Sequence, residues 1–178
     1  VVSTDSEEIA GIAREYGASV PFTRPAELSD DKTKSIDVVI HALEILGKDY
    51  DAVCFLQPTS PLRKVEDIKG ALVKYEKEGK PTLVSVAKLE DPHPHKIKLI
   101  KDNSLIPFIP GTKCEVPRQM LPVCYFLNGA IYIVDVNFAK QKQTFFDRNT
   151  VPYIMPSERS VNIDSELDLL LAELLIKV

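Results

Sequence analysis

The stretch Ala52–Arg63, AVCFLQPTSPLR, holds a contradiction that any fold has to resolve. Its first five residues, Ala52 to Leu56, are apolar, with β-branched and aromatic members, the composition of a buried strand. The run then stops in an amide, two hydroxyls and two prolines: Gln57, Pro58, Thr59, Ser60 and Pro61. Either the chain merely turns here, or the carboxyl end of the strand holds something polar. Ligands of open α/β sheets collect at such strand ends. Gln57 offers a donor and an acceptor, and Thr59 and Ser60 offer hydroxyls. On the residues alone both readings stay open.

Working outward, the elements alternate. VVSTD reads as the end of a strand, and Asp5 or Ser6 can cap a helix in which Ile9, Ile12, Ala13 and Tyr16 recur at helical spacing before Gly17. A short strand, Ala18 to Phe22, and a polar loop, TRPAELSDDKTKS, precede a second helix. Ser35 is its expected cap, and Ile36, Val39, Ile40, Leu43 and Leu46 form its apolar stripe before Gly47. A third helix from Val65 to Lys77 and the strand TLVSVAKL continue the pattern. The expected fold class is α/β: a doubly wound, mostly parallel sheet with helices on both faces. From Asp91 to Leu127 the pattern breaks into a proline-rich, irregular segment with short extended pieces around Ile97 to Ile100. Loops of such length are functional or shared with a partner. Beyond it come the strand AIYIVDV, a short helix near Asn137, the strand VPYIM, and a helix from Ser165 to Lys177. Leu167, Leu170, Leu171, Leu174 and Leu175 are expected on the buried side of that helix.

The 178 residues fit one domain with room for a sizeable core. A net charge of -4 with 27% charged residues offers no electrostatic footprint for nucleic acid and no polybasic face for a membrane. A local basic pocket for an anionic ligand remains open. No apolar run approaches the ~20 residues of a membrane span. Cys54, Cys114 and Cys124 are an odd, sparse set without metal-ligand spacing, which points to a reducing, cytoplasmic setting. His93 and His95 sit in a proline-bracketed loop with no third ligand nearby, so zinc is set aside, and His41 reads as a structural helix residue. Seven glycines form no phosphate cradle of the G-x-G-x-x-G or Walker type. In NIDSELDLLLAE, Asp164 and Glu166 stand at the mouth of the final helix. Their plain reading is capping and helix-dipole compensation, and their sharper one an oxygen site for Mg²⁺.

VSTDSEEIA, RPAEL, LQPTSPLR, PRQMLP, NGAIYI and NIDSELDLLLAE together resemble, in this order, the bacterial acylneuraminate cytidylyltransferases, or CMP-N-acetylneuraminate synthetases, whose relatives act on legionaminic acid. The resemblance spans essentially the whole chain. It implies a nucleotide-diphospho-sugar transferase-like domain that joins CTP to a nonulosonic acid, giving the CMP-sugar and pyrophosphate. It also implies a homodimer in which the arm at 91–127 completes the sugar site, with Mg²⁺ or another divalent cation as cofactor. By resemblance Arg24 and Ser35 contact the nucleotide. Gln57 meets the sugar's edge, and Lys96 and Arg118 face its acid group. Tyr132, Phe145 and Phe146 form an aromatic wall for the acyl-amino substituent, and Asp164 ligates the metal.

Three departures accompany the likeness. Asn162 stands where the family's Asp-x-Asp metal motif has its first aspartate, leaving Asn162 and Asp164 as the metal pair. Phe126 replaces an arginine that sialic acid synthetases often carry, which favours a less polar nonulosonate. The family's first strand and basic, glycine-containing triphosphate loop precede the matching VSTD, so residues 1–178 alone are expected to make negligible CMP-sugar. The alternatives are a catalytically inactive nucleotide- or sugar-binding module on the same fold, or a transferase for another keto-sugar such as a 3-deoxy-octulosonate.

Overall fold

The computed structural model describes residues 1–112 and 115–177. Cys114, one of the three cysteines, lies outside the described residues. The chain divides into two compact units. One comprises Val1–Phe55, Tyr75–Leu83 and Tyr132–Val151; the other comprises Leu56–Lys74, Val84–Ile131 and Pro152–Val178.

In the first unit, α1 (Glu7–Glu15) is capped by Ser6, whose hydroxyl accepts from the Ile9 N–H, with Glu7 and Glu8 in the first turn. Its packing face differs from the expected stripe. Ala10 is the buried residue, while Ile9, Ile12 and Tyr16 are exposed. The expected strand Ala18–Phe22 reduces to one parallel bridge, Thr4 to Thr23, flanked by Val2 N–H to Ser19 O and Arg24 N–H to Thr4 O bonds. Helix α2 (Ser35–Leu46) starts at the expected cap residue itself, so its cap lies one residue earlier than expected. Lys34 holds the cap position without a side-chain bond, Ser35 is the first helical residue, and Gly47 closes the helix at φ 57°.

The core of this unit gathers Ile36, Val39 and Leu43 of α2 with Val134, Phe145, and Val136 and Ala139 of α4 (Val136–Lys142). Each large aliphatic chain buried there contributes roughly 1.5–3 kcal/mol. Strand β1 (Ala52–Phe55) pairs antiparallel with β5 (Tyr125–Asp135), Ala52 opposite Asp135 and Phe55 opposite Tyr132. The decisive stretch is therefore a strand, ending one residue earlier than its apolar run.

The four-stranded sheet has the order β1-β5-β2-β6, with β2 at Thr82–Lys88 and β6 at Val151–Met155. It is a mixed sheet with a mostly parallel core. Thr82 through Ala87 are all buried, which suits an interior strand reading as a nearly continuous apolar run. In the second unit, α3 (Val65–Glu78) is anchored by Asp67, which is 3% exposed. Its carboxylate accepts from the Lys64 N–H at 2.9 Å and takes a bidentate grip from Arg159 at 2.9 and 2.8 Å. Gly70, mid-helix in α3, lies against the Tyr153 ring. A Cβ there would overlap the phenol oxygen and stand 3.2 Å from Cζ.

Two further expectations change in this unit. The segment from Asp91 to Leu127 is not wholly irregular. It contains the antiparallel hairpin β3 (Lys98–Lys101) and β4 (Ser104–Pro107), and β5 already begins at Tyr125. The hairpin turns on Asp102 and Asn103 at φ 48° and 59°, both positive as a type I′ turn requires. Helix α5 (Glu166–Ile176) opens with a capping box between Ser165 and Asp168, but it buries only Ala172. Leu167, Leu170, Leu171 and Leu174 are exposed, and Leu175 is half-buried. Leucines on several sides of one helix exceed the single face it packs. No helix of the described residues is long and apolar enough to cross a membrane.

Candidate active site

The polar end of β1 is held by its own arginine. Arg63 Nη1 donates to the carbonyls of Gln57 and Ser60, each at 2.7 Å, and Ile163 N–H donates to Thr59 O at 2.8 Å. Ser60 is fully buried, and its hydroxyl lies 3.0 Å from Asn128 O and 3.3 Å from Asn162 Oδ1. The Asn162 amide nitrogen donates to Asp164 Oδ2 at 2.7 Å. Thus Gln57, Ser60, Asn162 and Asp164, spread over more than a hundred residues of sequence, form one polar group.

Behind it lies a buried network. Asn128 is 0% exposed. Its Oδ1 accepts from Ser85 Oγ at 2.6 Å and from Ala130 N–H at 3.2 Å, while its Nδ2 donates to Ser160 Oγ at 2.8 Å. Ser85 Oγ in turn accepts from the Ile131 N–H at 2.7 Å. A fully partnered network of this kind rigidifies the backbone it surrounds. Next to Asn128, Gly129 adopts φ +72°, a conformation that suits glycine.

Asn128 is not among the expected site residues, and Ser60 enters only as one of the hydroxyls offered at the strand end; no local signal ties either to this network.

In the first unit, the nucleotide candidate Arg24 is prearranged. Its Nε donates to Ser29 Oγ at 3.0 Å and its Nη2 to Asp5 at 3.3 Å. The aromatic candidates do come together. Phe145 stacks on Phe55 at 5.5 Å and meets Tyr132 at 5.2 Å, and Tyr132 meets Phe146 edge-on at 6.1 Å. Burial pushes the Tyr132 phenol above its usual range, so it stays a neutral donor near neutrality. His41 packs edge-on against Phe22 at 5.4 Å, as a structural residue would.

The arm carries the remaining basic candidates. Lys96 is exposed at the end of a 3-10 turn, Pro94–Lys96. Arg118 is already engaged, donating to the carboxylate of Glu90 at 2.7 Å and to its carbonyl. His93 is 5% exposed and acts as a pin: Nδ1 accepts from the His95 N–H, which leaves Nε2 to donate to Pro122 O at 2.9 Å.

As donors for a cation, the exposed Asp164 carboxylate and the Asn162 amide make a minimal set. Among the described residues no cluster of three or more His, Cys, Asp or Glu could hold a metal. Such a set suits an ion that keeps several waters and takes further ligands from substrate phosphates.

The cytidylyltransferase family model matches residues 1–109. The chain belongs to the cytidylyltransferase family. This cytidylyltransferase is 36% identical to an N-acylneuraminate cytidylyltransferase of Escherichia coli, over 97% of the chain and 40% of that protein. It is 34% identical to a CMP-N,N'-diacetyllegionaminic acid synthase of Legionella pneumophila, over 100% of the chain and 78% of that protein. A flagellin modification protein B of Campylobacter coli is likewise 34% identical, over 99% of the chain and 76% of its own length. In fold it is similar to a CMP:2-keto-3-deoxy-manno-octonic acid synthetase complexed with CTP, with a TM-score of 0.64 at 12% identity, covering 99% of this chain and 80% of that one.

Proposed function

We propose that this cytidylyltransferase transfers CMP from CTP to a nonulosonic acid of the sialic, legionaminic or pseudaminic type, releasing pyrophosphate. The observation that carries this reading is the convergence of Gln57 and Asn162 on Gly129, with Asp164 bonded to the Asn162 amide. Relatives bearing those three substrate names cover most of the chain.

Each candidate residue has a role in this reading. Arg24, held by Asp5 and Ser29, and Ser35, in the first turn of α2, contact the nucleotide. Gln57 hydrogen-bonds the sugar, and the cluster of Tyr132, Phe145 and Phe146 receives its acyl-amino group. Lys96 and Arg118 face the sugar carboxylate. Arg118 exchanges its Glu90 contact for that stronger, bidentate partner. Asp164 supplies the anionic ligand and Asn162 the neutral oxygen for Mg²⁺, which when bound neutralises charge on the phosphate under attack.

The arm's exposed apolar residues Ile100, Leu105 and Phe108 fit a homodimer, and the expected setting is cytoplasmic. Asn162, a neutral group at a metal position, favours one rival: a binding module without turnover. Pyrophosphate release from CTP and Mg²⁺ with a panel of nonulosonic acids and 2-keto-3-deoxy-octonate separates the two. Turnover with a nonulosonate is expected when the full-length protein is assayed. Tight CMP-sugar binding without turnover would establish the rival.

A further inference from the structure

We infer that Gly129 and Ser60 are positioning residues: the bare Cα of Gly129 lets Gln57 and Asn162 close on one point, and the Ser60 hydroxyl holds Asn162 beside Asp164 in either orientation of its amide. The inference deepens the CMP-transfer reading and rests on it for the roles of Gln57 and Asp164.

A Cβ placed on Gly129 would stand 2.7 Å from Gln57 Oε1, 3.0 Å from Ser60 Oγ and 3.2 Å from Asn162 Oδ1. The first distance is impossible for a real side chain, and the other two are tighter than ordinary contact. Those three side chains arrive from two separate segments, the loop after β1 and the approach to α5. The glycine Cα is the wall they share.

Something must therefore give when a methyl group is added, and the surroundings decide what. The backbone is held on one side by Asn128, whose side chain makes bonds to Ser85, Ala130 and Ser160. Ser60 is fully buried and bonded to Asn128 O, so it has nowhere to retreat. The displacement falls on Gln57 and Asn162, the two groups assigned to the sugar and the cation.

Ser60 acts by a different route. Its hydroxyl has one proton and two acceptors in reach, Asn128 O at 3.0 Å and Asn162 Oδ1 at 3.3 Å. As the amide now stands, its nitrogen, not its oxygen, faces Asp164. Offering oxygen to a cation requires the amide to turn over, and its nitrogen then meets Ser60. A hydroxyl accepts as readily as it donates, so it partners the amide in both orientations. Alanine partners it in neither.

The test compares full-length protein with Gly129→Ala, Ser60→Ala and, as a control, Gly11→Ala, where an added Cβ meets nothing within 4 Å. Three quantities are read: the thermal midpoint, the affinity for Mn²⁺ alone, and the separate KM values for sugar acid and CTP. Gly129→Ala is expected to weaken Mn²⁺ binding and raise the sugar-acid KM, each by about tenfold or more, as loss of groups that orient a metal ligand does. At saturating Mg²⁺ the CTP KM stays at the parent value. Ser60→Ala is expected to weaken Mn²⁺ binding by about tenfold with a smaller change in sugar-acid KM.

Parent Mn²⁺ affinity in both variants, or no Mn²⁺ binding by the parent protein, overturns the inference. So does a lowered midpoint accompanied by equal rises in both KM values, the signature of a merely structural role. If Gly129→Ala fails to fold, the Mn²⁺ affinity of Ser60→Ala decides. A parent protein that binds Mn²⁺ yet turns over no nonulosonate defeats the CMP-transfer reading, while the Mn²⁺ comparison still decides the positioning roles.

Discussion

The polar group around Gly129 and the arm from Asp91 to Leu127 solve opposite problems. Around Gly129, polar atoms are buried and partnered: Ser60, Ser85, Asn128 and Ser160 are at most 4% exposed, and each has a hydrogen bond. On the arm, apolar side chains stand in the open: Ile100 is 81% exposed and Leu105 71%. The first region is complete within its own unit. The second leaves apolar surface open, which the proposed homodimer would cover. Satisfied burial marks a site built to stay still, and uncovered apolar surface marks one built to meet a partner.

The comparison breaks first at Asn128. Asn128→Ala strands the Ser85 hydroxyl proton and the Ala130 N–H inside the protein, while the Ser160 hydroxyl keeps its bond to Pro156 O. Each stranded group costs about 1–3 kcal/mol, so a loss of about 3–5 kcal/mol is expected by urea unfolding. A loss below about 1 kcal/mol would show that water replaces the network.

Next is Asp67, the other buried polar anchor. Asp67→Asn is expected to cost about 2–3 kcal/mol, less than a wholly buried pair, because the Arg159 side chain is 27% exposed. Burial alone would raise the Asp67 pKa, but the Arg159 bonds and the Lys64 N–H outweigh it and hold the carboxyl below its ordinary value. A depressed folded pKa means that the unfolded chain binds the proton first. The contribution is complete above the unfolded value of about 3.9 and fades as pH falls from there through the folded value. Acid titration of the unfolding free energy should show a steeper fall in the parent than in Asp67→Asn, where the Asp30 and Asp168 carboxyls, also held below their ordinary value, still contribute.

On the arm, Arg118→Ala should raise the sugar-acid KM roughly ten- to a hundredfold, the loss of a charge-assisted contact worth about 1.5–3 kcal/mol. CTP binding and stability should hardly change, since Arg118 and Glu90 form an exposed pair. An unchanged sugar-acid KM removes Arg118 from the site. The smallest effect on the fold itself is expected from Ile100→Asp with Leu105→Asp. Within ±0.5 kcal/mol per site the protomer should keep its stability while sedimentation shifts from dimer to monomer. A double variant that still sediments as a dimer assigns the contact elsewhere.

How legible each region was in the sequence follows the same divide. Ser6, Gly47 and the α2 stripe are local signals, and each marks its element correctly. The hairpin was written in Asp102-Asn103 between two short apolar runs, a two-residue turn hidden by the surrounding prolines. The leucines of α5 misled because periodicity reports which residues can share a face, not which face finds a neighbour. Asn128 was invisible for a different reason. Its partners lie 43 and 32 residues away, and no spacing rule connects an asparagine to two serines across three segments. The candidate residues themselves came from recurring motifs, and the geometry that joins Gln57 to Asn162 came only from the folded chain.

Gly70 has a practical meaning for anyone redesigning this protein. By helix propensity alone, alanine in the middle of α3 should gain about 1 kcal/mol over glycine, so a consensus or stabilisation protocol would choose it early. The Tyr153 phenol occupies the space that methyl needs. Positions 70 and 153 therefore form a linked pair: a side chain at 70 becomes an improvement only after 153 has been made smaller, and a library that varies them one at a time will never find it.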